Sequence, residues 1–190
     1  MQEPIRFILL YIVMPGWLAA GLADWACHRR SDIAHTSGTK ESLLHLLMIG
    51  QVGVGVLAAL FLRINSAVLL LLLVLLLGHA LTSHWDLHYA ARRRHVSAME
   101  QSIHAYLEGF PLAAYALLMA SHWSQFSAIF GADGTAPDWT WRLKEDPLPA
   151  YQTALLLLGS LCLGLAPFAE ELYRSLRAAP KARVPLKPRL

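Results

Sequence analysis

The chain has 190 residues, 56% of them hydrophobic, with a mean hydropathy of +0.43 and a formal net charge of +3, a balance that argues against a soluble domain. Two cysteines, Cys27 and Cys162, both in apolar helical segments, form no disulfide framework. The basic excess comes with no nucleic-acid motif, so no nucleic-acid partner is expected.

A run of about 20 apolar residues spans a bilayer, and five segments qualify: 5–27, 42–62, 66–88, 103–123 and 151–173. No strand alternation or internal repeat accompanies them. The expected fold class is therefore all-α, an integral membrane bundle of about five transmembrane helices forming one domain over residues 1–178.

The first segment passes a "GLA" resembling a signal-peptide cleavage site. Its leader "MQEPIR" is barely basic, and the helix runs on into Asp24 and His28, so it is expected to be retained. In the second, Gly50, Gly53 and Gly55 read as a close-packing surface and Gln51 as an interhelical hydrogen bonder. The third is "SAVLLLLLVLLLG", followed directly by "HALTSHWDLHYAARRRHVSAMEQSIHAYLEG". Pro111 in the fourth and Pro167 in the fifth are expected to kink their helices.

Residues 125–149 read as an outer loop with Trp139 and Trp141 at the interface. Glu170 and Glu171 are expected in solvent beyond the fifth segment. Residues 179–190 form a basic, Pro-rich tail, expected to be disordered and to lean on anionic lipid.

Charge orients the bundle. With alternating helices, Arg29, Arg30, Lys40, Arg92, Arg93, Arg94, Arg174, Arg177, Lys181, Arg183, Lys187 and Arg189 share one side, and only Arg6, Arg63, Arg142 and Lys144 the other. By the positive-inside bias the first side is cytoplasmic, which predicts a cell inner-membrane protein with its N-terminus outside and C-terminus in the cytoplasm.

The same side gathers polar residues. Eight of the nine histidines (28, 35, 45, 79, 84, 88, 95 and 104) lie in its half of the bundle or its loops, and only His122 lies elsewhere. Asp24/His28, Glu41/His45, His84/His88 and Glu100/His104 are i,i+4 pairs, which place both side chains on one helix face. At about 1.5 Å per residue, Asp24, His45 and His88 lie roughly 6–8 Å inside the basic boundary. His79 lies roughly 20 Å inside it, near the level of Glu108, so these two are expected as further ligands or supporting polar groups. On the third helix, His84 and His88 share a face opposite Asp86. Spacing and depth favour the histidines, Asp86 would give every helix a carboxylate, and a local unwinding at "SHWDLH" would admit all three.

Intramembrane ionisable groups are costly enough to mark function, and carboxylates mixed with imidazoles suggest bound cations. The candidate metal ligands are Asp24, His28, Glu41, His45, His84, Asp86, His88, Glu100 and His104. They exceed a tetrahedral zinc site and suit two metals held in a core of four helices, with iron, manganese or zinc compatible with the donor set. Arg29, Arg30, Arg92, Arg93 and Arg94 are candidates to dock a lipid headgroup or an acidic electron donor. In "TSGTKES", a turn leading into a helix cap, Thr36 and Ser37 are candidate hydrogen-bonding supports. His35 and His95 read as loop histidines, His122 as interfacial, and Trp25, Trp85, Tyr89 and Tyr106 as interfacial packing.

The stretches "DWACHRR", "HTSGTKESLLH", "HWDLHYAARRR" and "EQSIH", within residues 1–105, resemble a group of short bacterial multi-pass membrane proteins. The cluster as a whole resembles integral-membrane di-iron proteins of the fatty acid desaturase and hydroxylase type. That resemblance implies a His-rich pair of iron ions at the cytoplasmic face. It also implies oxidation of a lipid or other apolar substrate by dioxygen, and a cytoplasmic electron donor. The chain departs from the type in having no HxxHH box, and it carries Glu-x-x-x-His where soluble di-iron proteins carry Glu-x-x-His.

The rival enzymatic reading is a single-zinc lipid amide or ester hydrolase, similar to intramembrane ceramidases. It would draw zinc ligands from His84 and His88 with His45 or His104, and a base from Asp24 or Glu100. A non-enzymatic haem- or metal-binding bundle is the third. Haem needs no carboxylates, and a transporter would hold its ligands nearer the bilayer midplane.

Overall fold

The structure, a computed structural model, describes residues 3–178, so the expected disordered tail at 179–190 lies outside the described residues. Regular structure is helical throughout the described residues, with one isolated bridge between Leu62 and Leu143. Five helices are long and apolar enough to cross a membrane.

The first span joins α1 (Glu3–Ile8) to α2 (Met14–Arg30) through a π-helical turn, Leu9–Val13. The fifth joins α7 (Ala150–Gly159) to α8 (Ala166–Arg177) through a second π-helical stretch, Ser160–Leu165. Both π segments lie just ahead of a proline, Pro15 and Pro167. Proline lacks an N–H and its ring crowds the carbonyl four residues back; the wider π turn gives that carbonyl room. Where a kink is expected at Pro167, the structure has a π segment directly ahead of the proline.

The second and third spans are α3 (Thr39–Phe61) and α4 (Ser66–Ala91), the fourth is α5 (Ala98–Ser121), and a short α6 (Trp123–Ile129) opens the long loop. There is no unwinding at "SHWDLH", since α4 is continuous to Ala91. Helix α5 begins five residues earlier than its apolar run, because Ser97 caps it by accepting the Glu100 N–H at 3.2 Å. That cap puts Glu100 in the first turn. Helix α5 continues through Pro111.

Helix α3 packs against α4 and α8, α4 against α5, and α5 against α2. An apolar core of Ala58, Ile64, Val68, Leu69, Leu72, Tyr115 and Leu118 fills one end. Outward-facing residues are apolar too, including Val74, Leu81, Leu155 and Leu158, as expected of helices facing lipid. Of the three clustered glycines only Gly55 is packed, where an added Cβ would meet Leu72 at 3.4 Å. Gly50 and Gly53 face open space, contrary to the close-packing expectation. Gln51 does bond across helices, donating to Thr82 Oγ1 at 3.2 Å.

The α3–α4 turn is tied to the long loop by Asn65, which is 1% exposed. Its Oδ1 accepts the Val68 N–H at 3.1 Å, and its Nδ2 donates to the Thr140 carbonyl at 2.7 Å. Removing a helix cap costs about 1 kcal/mol, and losing the hydrogen bond to the Thr140 carbonyl about 1 more. Asn65→Ala is therefore expected to lower the unfolding midpoint in detergent clearly. Asn65→Asp keeps the cap acceptor and should fall between Asn65→Ala and the parent; an unchanged midpoint for Asn65→Ala would show that the turn holds without this tie.

Candidate metal centre

At the end opposite the apolar core the interior is charged. Asp24 and His28 occupy the last turns of α2, Glu41 and His45 the first turns of α3, Asp86 the end of α4, and Glu100 and His104 the start of α5. Glu171 enters from α8, and Arg94 from the loop after α4. Apart from His104, which is partly accessible, none of these residues is more than 5% exposed.

The contacts form one connected set. His28 Nε2 lies 3.4 Å from Asp24 Oδ1 and 3.3 Å from Glu100 Oε1, and His104 Nε2 lies 3.0 Å from the same Asp24 oxygen. His45 Nε2 lies 3.4 Å from Asp86 Oδ2. The His28 and His45 rings stack, with centroids 4.5 Å apart and planes 9° from parallel. Behind them, Glu171 meets His28 Nδ1 with one oxygen and His45 Nδ1 with the other, each at 2.8 Å.

Arg94 forms the far wall. Its Nη1 and Nη2 donate to Glu100 at 3.0 and 2.5 Å, its Nε donates to Glu41 at 3.1 Å, and its Nη2 also contacts Glu41. Burial works against its charge, but the Glu100 and Glu41 carboxylates prevail and hold its pKa above the usual guanidinium value.

Of the nine expected ligands, seven converge: Asp24, His28, Glu41, His45, Asp86, Glu100 and His104. His84 and His88 do not. Both are exposed on the opposite face of α4, their rings tilted against each other with centroids 4.2 Å apart, and His88 Nδ1 is turned to the His84 carbonyl at 2.9 Å. Asp86 takes the inward face with His79, Thr82 and Ala90, so the i,i+4 histidine pair is corrected to the carboxylate between them.

His79 is buried deeper, against the Met48 and Leu107 carbonyls, the second of which Pro111 deprives of its helical N–H. Glu108 is exposed and accepts from the Ser83 hydroxyl. Arg29, Arg30 and Arg92 are exposed at this end, and Arg93 lies over the Tyr89 ring at 3.9 Å. Arg94 is not free to dock a headgroup or donor, because two buried carboxylates hold it. His35 pairs locally with Asp32 at 2.8 Å, and Ser37 is buried with its carbonyl accepting from Tyr89 at 3.1 Å.

Glu171 was expected in solvent and is instead fully buried. A sequence signal existed. Phe168, Glu171 and Ser175 fall at i, i+3 and i+7, one helical face. All three turn inward: Phe168 packs edge-on against both rings, at 5.6 and 6.4 Å, and Ser175 meets Ser42 at 3.0 Å. Glu170 stays at the rim, accepting from Trp25 at 3.1 Å.

The donor chemistry fits metal ions. Asp24 Oδ1, His28 Nε2, His45 Nε2 and Asp86 Oδ1 are buried and make no well-aligned hydrogen bond, although ligating atoms lie as near as 3.0 Å. Buried polar atoms are ordinarily satisfied. Ligand atoms of Asp24, His28, Glu100 and His104 lie within 4.8 Å of one another, as do those of His28, Glu41 and His45. Charge agrees. Five carboxylates against one guanidinium leave four net negative charges with neutral imidazoles; protonating all three imidazoles still leaves one, and two divalent cations bring the set to neutrality.

A partly open cavity of about 50 Å³ adjoins the cluster. Asp24, His45, Asp86 and His104 line it on the cluster side, His79, Ser83 and Glu108 add further polar groups, and Trp17 and Phe168 are among its apolar lining.

No protein-family model, curated protein or solved structure matches the chain. The functional reading rests on the site, where a fold alone would not carry it.

Removing one member of a buried ion set costs about 3–5 kcal/mol, because the remaining charge is stranded. Arg94→Ala is expected to destabilise the protein by that order, while Arg92→Ala, at an exposed position, stays within about 0.5 kcal/mol of the parent. Unfolding curves in detergent that place the two variants together would remove Arg94 from the centre.

Proposed function

We propose that the protein is a membrane-embedded metalloprotein holding two metal ions, iron above all, in the His/carboxylate cluster. We propose further that it acts as an oxidoreductase on a lipid or other apolar substrate. The observation that carries this reading is the set of buried, unpaired ligand atoms on Asp24, His28, His45 and Asp86 beside an apolar cavity. Buried lone pairs facing one another repel, and cations between them remove both the repulsion and the desolvation cost.

In this reading Asp24, His28, His45, Asp86, Glu100 and His104 hold the metals. Glu41 acts mainly through Arg94, which it shares with Glu100. Redox-active ions there would supply activation of dioxygen. Hydroxylation or desaturation of an unactivated C–H bond then consumes one dioxygen, two electrons and two protons, the electrons coming from a cytoplasmic one-electron donor. The chain's own residues confine the reaction. Trp17 and Phe168 help give the cavity its apolar wall, which suits a hydrocarbon segment and excludes bulk water.

The positive-inside bias places this end in the cytoplasm of a bacterial-type inner membrane. There Arg29, Arg30, Arg92 and Arg93 ring the outside of the site and suit an acidic donor or a lipid headgroup. The hydrolase reading draws on His84 and His88 for its zinc, and both face away from the cluster.

Elemental analysis of untagged protein purified without added metal tests the proposal. About two irons or manganese per chain are expected, as for bundle-held metal pairs, with loss in Asp24→Ala/Asp86→Ala and retention in His84→Ala/His88→Ala. About one zinc per chain, as for a hydrolytic site, would move the reading to hydrolysis; no stoichiometric metal would end it.

A further inference from the structure

Glu171 sits behind the proposed ligands. It accepts from Nδ1 of two stacked histidines carried on two different helices, one per carboxylate oxygen, at 2.8 Å each. A carboxylate has no proton to donate, so each Nδ1 must carry the hydrogen. In a neutral imidazole the lone pair then resides on Nε2, the atom that His28 turns toward Asp24 and Glu100 and that His45 turns toward Asp86.

The stacking sharpens the point. Two imidazolium rings 4.5 Å apart would repel, whereas two neutral rings anchored behind and ligating in front would not. The rest of the α8 face completes the support: Phe168 abuts both rings and Ser175 locks α8 to Ser42 of α3.

We propose that Glu171 is the positioning residue of the centre, a single carboxylate that fixes His28 and His45 together as Nε2 metal donors. The fifth span therefore completes a site whose ligands all lie on the other four. Both oxygens of Glu171 are engaged by the histidines. This inference rests on the metal-centre reading and adds the identity of the ligating nitrogens and the element that sets them.

Glutamine at this position separates the role from simple packing. Its amide oxygen accepts from one Nδ1–H, but its amide NH₂ can only donate. The second histidine must then offer a bare Nδ1, which moves its proton to Nε2 and blocks the ligating atom. Loss of such an outer carboxylate lowers metal affinity about 10–100-fold. Glu171→Gln is expected to show a fall of that size by competition against a chromophoric zinc chelator. Glu170→Gln, at a residue whose polar partners among the described residues are Trp25 and the rim arginines, is expected to match the parent.

A second readout needs no variant. Histidine-selective ¹⁵N NMR of the zinc-loaded parent should find His28 and His45 both protonated at Nδ1, and it stands even if Glu171→Gln fails to fold. Parent-like zinc affinity in folded Glu171→Gln, or either ring protonated at Nε2 in the parent, overturns the role of Glu171 while leaving the metal centre standing. A parent that binds no zinc or other divalent metal ends both.

Discussion

The structure is organised around the repulsion among five carboxylates buried together at one end of a membrane bundle. Two unit charges 4 Å apart interact by about 4 kcal/mol even at an effective dielectric of 20, so the set exists only if positive charge and hydrogen-bond donors are brought to it. The fold does this from every direction. The loop after α4 folds back, with the N–H groups of Arg93 and Arg94 both bonded to the Ala90 carbonyl, and turns Arg94 into the interior. The Ser97 cap starts α5 early enough to put Glu100 within reach of that guanidinium. Helix α8 delivers a carboxylate to the backs of two histidines instead of leaving it in solvent. Each of these local features is weak alone; the electrostatics make them interdependent.

The spans and most of the cluster were legible in the sequence because they rest on short-range regularities. Twenty apolar residues have one use in a chain of this composition, and i,i+4 spacing fixes which side chains share a face. Asp24/His28, Glu41/His45 and Glu100/His104 accordingly meet as expected. The rotation of α4 was not legible. "SAVLLLLLVLLLG" is apolar all round, so it gives no information about which face turns inward, and a His-x-x-x-His pair outweighed a lone aspartate. The inward stripe of Leu72, His79, Thr82, Asp86 and Ala90 is regular. Its meaning becomes visible only against the neighbouring helices.

Arg94 and Glu171 were misread for a related reason. Arg94 is the third of three consecutive arginines, a run that reads as one solvated surface, although consecutive residues leaving a helix point in different directions. Glu171 follows an apolar span and adjoins a second glutamate, which suggests an exit into water. Its partners lie 126 and 143 residues away in sequence, beyond any local pattern. What distinguishes Glu171 from Glu170 is its alignment with Phe168 and Ser175, a periodicity of the fifth span's end and not of the residue.

The position of the cluster beside an apolar cavity links stability to occupancy. The polar wall formed by Asp24, His45, Asp86 and His104 faces a space lined largely by hydrocarbon, so water is a poor source of compensation for its unpaired atoms. On the reading proposed here, cations supply that compensation, and the free energy of binding them becomes part of the free energy of folding. A site neutralised only by protons would need all three imidazoles charged and one of the five carboxylates protonated as well, since three imidazoles and one guanidinium do not balance five carboxylates. The apolar cavity and the charge excess therefore point the same way. The cavity suits a hydrocarbon guest, and on the proposed reading the wall it meets would reach neutrality through bound metal.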